Sequence, residues 1–442
     1  MTMTAPLRLT NPISRLRATS FWPLVICIFL AAYLSPSLLL RLGWDYSTPF
    51  ASSYEKLHPS TYVFVVIFMT WLFQASTSAN GRYKFSELRN LAYYFGAIVI
   101  FTVYNAVVIG SQFAVIVDSY LIPAFVLIIL RQTDESQRRL MAAALHVIMT
   151  ANAVVGIYDL LTGGQLIPLM IYSSDDITGS SLVEFTDGRS GGLLGHPLTA
   201  TTLSATYILT SIANMGRKPM SLPHLCAILI SLAALPAFGG RFPMALMIMF
   251  IIFMAGRSFI QLVRTNRISF TFLFISFTGS VIFILAIILI TYFGYFDNII
   301  DRLNDDGGSA QTRFVALELA QASSWDEIMW GDINETLLRR QHFYDILTGI
   351  EIYWLGFILR YGIFCALFVF PALFYVARQI YRDLGYPGGI AITYYFLSIS
   401  GNIGLTSKST SFSMVMIICY GLATKVVPTL APQRQRVPGM LR

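Results

Sequence analysis

Apolar runs about twenty residues long recur along the whole of this chain, and each can cross ~30 Å of hydrocarbon as a helix. Backbone in hydrocarbon must satisfy its own hydrogen bonds, so only helices or a closed barrel can span. Runs of this length without strict alternation specify helices. Of 442 residues, 55% are hydrophobic and 12% charged, about half the charged share of a soluble domain. Mean hydropathy is +0.64. The chain therefore reads as an all-α, polytopic membrane protein with one membrane domain over 1–442.

Hydropathy gives about twelve spans, near 21–41, 61–77, 91–109, 113–130, 140–162, 197–215, 224–240, 242–256, 268–293, 354–377, 386–406 and 411–427. Arg8, Arg15 and Arg17 precede the first. That run is too long for a signal-peptide core and reads as an uncleaved span. Basic residues mark alternate loops: Arg82, Lys84 and Arg89; Arg131, Arg138 and Arg139; Arg217 and Lys218; Arg257, Arg264 and Arg267; Arg378 and Arg382. The C-terminal tail adds Lys425, Arg434, Arg436 and Arg442. The positive-inside rule then places both termini in the cytoplasm. The net charge of +7 is accounted for by basic loops against anionic lipid, so nucleic acid is not expected as a partner. Cys27, Cys226, Cys365 and Cys419 are scattered in apolar runs without metal-ligand or redox spacing.

Two outer segments are long. The first, 163–196, is rich in glycine and serine; the second, 294–353, is the largest soluble piece and is acidic. Within the second, 311–330 has helical composition, so helices lying on the outer face are expected. Arg189, Arg241 and Arg313 fall in or beside these outer parts, against the charge bias. A common reason to keep arginine there is an anionic ligand such as phosphate.

Arg189 belongs to Gly188-Arg189-Ser190-Gly191-Gly192-Leu193-Leu194-Gly195-His196-Pro197. Glycines let backbone N–H groups approach a ligand, and Pro197 suits the first turn of a helix, whose start favours anions. The bland reading is a glycine-rich turn with an incidental arginine. Arg241 follows Gly239-Gly240 at the tip of a tight hairpin, where snorkelling to headgroups is the alternative. Arg313 opens the expected loop helix, with Arg302, Arg339, Arg340 and His342 nearby in sequence; ion pairing and a solvated face are their alternatives. Glu351 is the candidate general base: partial desolvation where the outer segment enters the membrane raises a carboxylate pKa. A helix-dipole role is its alternative. Asn105, Asp118, His146, Asn152 and Asp159 are polar residues in or near spans, candidates for function or for interhelical packing.

From Arg189 onward the chain resembles the bacterial O-antigen ligase and Wzy-type polysaccharide polymerase superfamily. Four elements stand in that group's order: Arg189 with a glycine-rich stretch to Gly195-His196-Pro197; Arg241-Phe242 at the hairpin tip; Ser309 and Arg313 in the long outer loop; and Glu351-Ile352-Tyr353-Trp354-Leu355 with Gly362. In the last element the group has His-Asn-x-Tyr-Leu, so Glu351 stands where the ligases have histidine. That departure favours a polymerase, most similar to the VpsF-type exopolysaccharide branch.

The resemblance implies a GT-C-like helical fold and a metal-independent, inverting glycosyltransferase without a cofactor. Its donor would be a glycan on undecaprenyl pyrophosphate and its acceptor another lipid-linked repeat unit. Partners would be that lipid-linked oligosaccharide, membrane lipids and a chain-length co-polymerase. Arg189, Arg241 and Arg313 would bind pyrophosphate, with Arg302 and His342 as further candidates. Glu351 would be the base, with His196 or His342 in reserve. Tyr353, Trp354, Trp325 and Trp330 would stack on sugars or pack in the protein. An O-antigen ligase or a lipid-linked oligosaccharide flippase are the alternatives.

Overall fold

The computed structural model describes residues 34–46, 52, 54–77, 88–110, 113–173, 181–185, 189–215, 221–265, 309–333, 336–343 and 350–424. The expected span at 268–293, most of the one at 21–41, Cys27 and Arg302 lie outside these residues. The other ten expected spans each correspond to a helix.

In chain order these are a short α1 (Pro36–Arg41), α2 (Pro59–Thr77), α3 (Ala92–Tyr104, prolonged by a π turn to Ile109), α4 (Phe113–Arg131) and α5 (Glu135–Thr162). There follow α6 (Pro197–Asn214), α7 (Leu222–Phe238), α8 (Arg241–Thr265), α9 (Ser309–Ala322), α10 (Trp325–Trp330) and α11 (Thr336–Phe343). The last three are α12 (Tyr353–Leu384), α13 (Tyr386–Ile399) and α14 (Ser411–Leu422). Five of the described helices, Ala92–Ile109, Phe113–Arg131, Glu135–Thr162, Arg241–Gln261 and Tyr353–Leu384, are long and apolar enough to cross a membrane. Three shorter apolar helices accompany them. The chain is thus a membrane-embedded helical protein.

Two expectations are corrected. The expected span at 386–406 ends at Ile399, where Ser400-Gly401-Asn402 leaves the helix. The segment 163–196 is not all loop: Leu169–Ser173 (β1) and Ser181–Phe185 (β2) pair antiparallel, with Leu169 opposite Phe185 and Ser173 opposite Ser181. Ile171, Tyr172, Val183 and Phe185 favour strand. The stretch 311–330 is helical as expected, in two helices, because Ser324 and Glu327 form a capping box that starts α10 afresh.

The centre of the bundle is α6 and α14, whose side chains are buried almost throughout. α6 packs against α7, α8, α13 and α14. It carries many hydroxyls in that position because they return to the helix's own carbonyls: Thr201 to Pro197 at 2.9 Å, Thr206 to Thr202 at 2.7 Å and Thr210 to Thr206 at 2.6 Å. Thr202 also meets Ser398 of α13 at 2.8 Å. A second, smaller apolar cluster joins Ala316 and Leu319 of α9, Leu337 of α11, and Ile350 and Leu359 beside and within α12.

Candidate functional site

The glycine-rich segment is held by its backbone. Ser190 N–H donates to the Ala237 carbonyl at 2.9 Å, which ties the residue after Arg189 to the last turn of α7. Ser190 Oγ donates to Asp159 at 2.5 Å, and Asp159 also accepts from Leu166 N–H at 2.8 Å. Asn152 accepts from Leu193 N–H at 2.9 Å. A Cβ at Gly192 would collide with Asn152, and one at Gly195 with Ser35. Asn152 and Asp159 are therefore the anchors of this loop. The glycines answer close packing in addition to φ of +54° and +79° at Gly192 and Gly195.

Beyond the loop, His196 is the N-cap of α6, its Nδ1 accepting from Leu198 N–H at 3.2 Å. Next to this helix start lies the hairpin. Gly239 ends α7 in the left-handed region, and a Cβ on Gly240 would come within 2.5 Å of Thr201 Oγ1. Arg241 is the first residue of α8 and is half-buried. Arg189, His196 and Arg241 thus belong to one packed corner.

The Glu351 segment reaches the same corner through α13. Phe242 lies against Gly401, whose Cβ would sit 2.5 Å from the ring. Trp354 Nε1 donates to Ser400 Oγ. Half-buried Glu351 stands just before the N-cap Ile352 of α12. Its neighbours Ile350 and Ile352 join the second apolar cluster with Ala316, one turn along α9 from Arg313. Arg313 Nε is buried without a hydrogen-bond partner.

Other candidates have structural partners. Arg340 is not on a solvated face: it forms a bidentate pair with Glu327 at 3.0 and 3.1 Å and reaches Ser323 at 3.2 Å. Burial pushes the Glu327 carboxyl up, but Ser324, Thr336 and Arg340 outweigh it and hold the carboxyl at about 2. Tyr353 is fully buried, its hydroxyl 3.2 Å from that of Tyr120, so its ring belongs to the core and offers no face to a sugar. Trp354 packs edge-on to Phe370, with centroids 4.7 Å apart. Trp325 and Trp330 are exposed. His342 lies on α11.

A cavity of about 250 Å³ opens beside the corner, lined by His196, Tyr46, His58, Asn402, Lys408 and a run of hydroxyls from Ser407 to Ser411. Its wall is built on Asp118, which accepts from Tyr46 Oη at 2.9 Å, Thr61 Oγ1 at 2.6 Å and His58 N–H at 3.1 Å. Asp118 sits in a π turn, Val117–Leu121, that interrupts α4, a feature frequent at functional sites. Lys408 Nζ lies 4.6 Å from the Tyr46 ring and donates to the Tyr46 carbonyl. Burial pushes the Lys408 ammonium down from its ordinary value, and the Asp118 carboxylate opposes that. Lys408 is a cation between two spans on the arginines' side, so the same charge bias singles it out. Among the described residues no group of three or more His, Cys, Asp or Glu is placed to hold a metal.

No protein-family model matches this sequence, and no curated protein matches it. The arrangement brings the arginine-bearing segments, the Glu351 segment and His196 to one end of the bundle, beside a hydroxyl-lined recess.

Proposed function

We propose that this protein is a polysaccharide polymerase of the O-antigen ligase and Wzy-type superfamily. It joins repeat units carried on undecaprenyl pyrophosphate at the periplasmic face of the bacterial inner membrane. The supporting observation is convergence: segments bearing Arg189, Arg241, Arg313 and Glu351, far apart in sequence, meet at one end of the helical bundle through the Ser190–Ala237 hydrogen bond, the Phe242–Gly401 contact, the Trp354–Ser400 hydrogen bond and the second apolar cluster. On this reading the chain has a GT-C-like fold, crosses the membrane about twelve times and keeps both termini in the cytoplasm.

The chemistry is a single displacement. An acceptor hydroxyl oxygen attacks the anomeric carbon, forming the new glycosidic bond. The bond from that carbon to the pyrophosphate oxygen breaks, and its electron pair leaves with the lipid pyrophosphate. Glu351 takes the hydroxyl proton, and the anomeric centre inverts. Arg189, Arg241 and Arg313 neutralise charge growing on the leaving group, a contribution of about 3–4 kcal/mol for one well-placed donor. His196, in the wall of the cavity, is the reserve base.

The test is polymer formation in a strain lacking the gene, complemented with wild type, Glu351→Gln, Arg189→Ala, Arg241→Ala or exposed Arg339→Ala, at matched membrane levels. Glu351→Gln should abolish polymer. Arg189→Ala and Arg241→Ala should cut it about 100-fold or more, and Arg339→Ala should have little effect. Single lipid-linked units should accumulate on the outer leaflet. Accumulation on the inner leaflet would identify a flippase instead. Normal polymer from Glu351→Gln would remove Glu351 as base.

A further inference from the structure

We propose that the chain carries a second anion site, for a phosphate group, built around Arg138 at the opposite end of α5. Arg138 and Asp159 are 21 residues apart on one helix, so the two ends are separated by about 30 Å at 1.5 Å per residue. That separation matches the hydrocarbon thickness. This site is independent of the reading of the other end.

A cavity of about 610 Å³ lies there, lined by Arg138, Arg139, His146, Ser211, Asn214 and His224 among others. Arg138 is only 6% exposed, yet its Nε and Nη2 have no hydrogen-bond partner, and Nη1 reaches the Ala423 carbonyl only at 3.5 Å. Arginine does not shed its proton in a protein. Buried guanidinium nitrogens left without hydrogen bonds are costly, and an anion that reaches them relieves that cost.

The nearby acids Asp383 and Glu135 act on Arg138 through space but take their close contacts from other residues. Asp383 is paired with Arg131 at 2.8 Å and accepts from Tyr420 Oη at 2.5 Å. Glu135 is half-exposed, faces Arg139 at 3.6 Å and lines the rim of the same recess, where its charge also acts on Arg138 without a hydrogen bond to it. Asn214 is occupied by Leu422 and Thr424. The opposite wall is a pair of imidazoles with centroids 4.0 Å apart. His146 Nδ1 is held by Tyr207 Oη at 2.8 Å, and His224 Nε2 by Ser211 Oγ at 3.1 Å. Each ring has its other nitrogen for a ligand.

A guanidinium fork with two unused donors, a second arginine beside it and two imidazoles across from it suit a tetrahedral phosphate with several acceptor oxygens. The recess is larger than a free phosphate and lies between apolar helices. Basic pockets of this kind between membrane helices take phospholipid headgroups. Inorganic phosphate and a phosphatidylglycerol headgroup share the chemistry, and the experiment separates them.

The full chain, purified in neutral detergent, is titrated with inorganic phosphate and separately with short-chain phosphatidylglycerol while thermal unfolding is followed. A ligand that binds only the folded state raises Tm with saturation. Either ligand should do so, with Arg138→Gln weakening apparent affinity at least tenfold, His224→Ala weakening it several-fold and Arg339→Ala leaving it unchanged. A response to both ligands means that phosphate itself is recognised; a response to the lipid alone assigns the site to a headgroup. No saturable shift with either ligand, or an undiminished shift in Arg138→Gln, overturns the proposal. Should Arg138→Gln fail to fold, Arg138→Lys and His224→Ala decide it: affinity equal to wild type in both overturns the site.

Discussion

His58 is held as a neutral imidazole by two bonds of opposite sense. The Leu34 carbonyl can only accept, so Nε2, 2.7 Å away, carries the proton. Nδ1 then accepts from Ser60 Oγ at 2.6 Å and Ser60 N–H at 3.2 Å. Burial, which disfavours the charged form, pushes the pKa down to about 4; the Leu34 bond opposes it. The folded pKa is below the unfolded one, so His58 destabilises the fold only in acid. Stability is intact above about pH 6.5 and falls as pH drops towards 4, by roughly 3 kcal/mol at ~1.4 kcal/mol per pH unit. Thermal melts of wild type and His58→Gln at pH 7.5 and 4.5 check this: the loss between the two pH values should shrink in the variant. At this scale the sequence singles out charged residues better than it gives their partners. Arg189, Arg241 and Arg313 stand out in the sequence because charge bias is a property of composition. The same rule reaches Lys408, but one lysine in a short turn between spans is a weak signal. Asn152 and Asp159 read as polar residues in or near a span; only the structure shows that they anchor the Arg189 loop.

The element that ties the outer helices to the bundle is a pair of glycines meeting back to back. Gly362 interrupts α12 at φ 81°, ψ 160°, and a Cβ there would sit 2.5 Å from the Met329 carbonyl. Gly331, at φ +86°, would place its Cβ 2.7 Å from the Arg360 carbonyl. Asp332 N–H donates to that carbonyl at 3.1 Å, and Tyr104 Oη donates to Trp330 O at 2.6 Å. Gly362→Ala must leave a conformation nearly reserved for glycine, which costs about 1–3 kcal/mol, and must also push α10 away. Amide exchange over 325–332 should quicken about 30-fold for a 2 kcal/mol local loss, while exchange in the buried helix α14 stays unchanged. Uniform acceleration through the chain would mean that Gly362 serves the whole fold instead. Helix positions were legible because hydropathy integrates over twenty residues. The kink was not, since the apolar run passes through Gly362 without a change in composition. The β hairpin was missed for a related reason: five-residue strands in a serine-rich segment fall below the window in which hydropathy speaks. The start of α10 depended on one capping pair, Ser324 and Glu327, inside a stretch of uniformly helical composition.

At the scale of the whole molecule, the two cavities lie at opposite ends of the bundle, and on the proposed topology they face opposite sides of the membrane. Arg139, in the first turns of α5, is 78% exposed at its side chain and lines the Arg138 recess. Arg339 is exposed on α11. That helix joins the second apolar cluster through Leu337, beside Ile350 and the Glu351 segment. Single cysteines at these two positions therefore report the orientation of both sites, once exposed Cys226 and Cys27 are replaced by serine. In sealed spheroplasts, Arg339→Cys should react with a membrane-impermeant maleimide, whereas Arg139→Cys should react only after permeabilisation. The reverse pattern would turn the Glu351 corner towards the cytoplasm, where a polymerase of exported repeat units has no substrate, and would remove the proposed function along with the orientation. Reaction of both without permeabilisation would put the two ends on one side, which a helix of 28 residues in a spanning pose does not allow. The expected pattern would leave the arginines of the Glu351 corner outside, on the side where the proposed pyrophosphate contact has to be made.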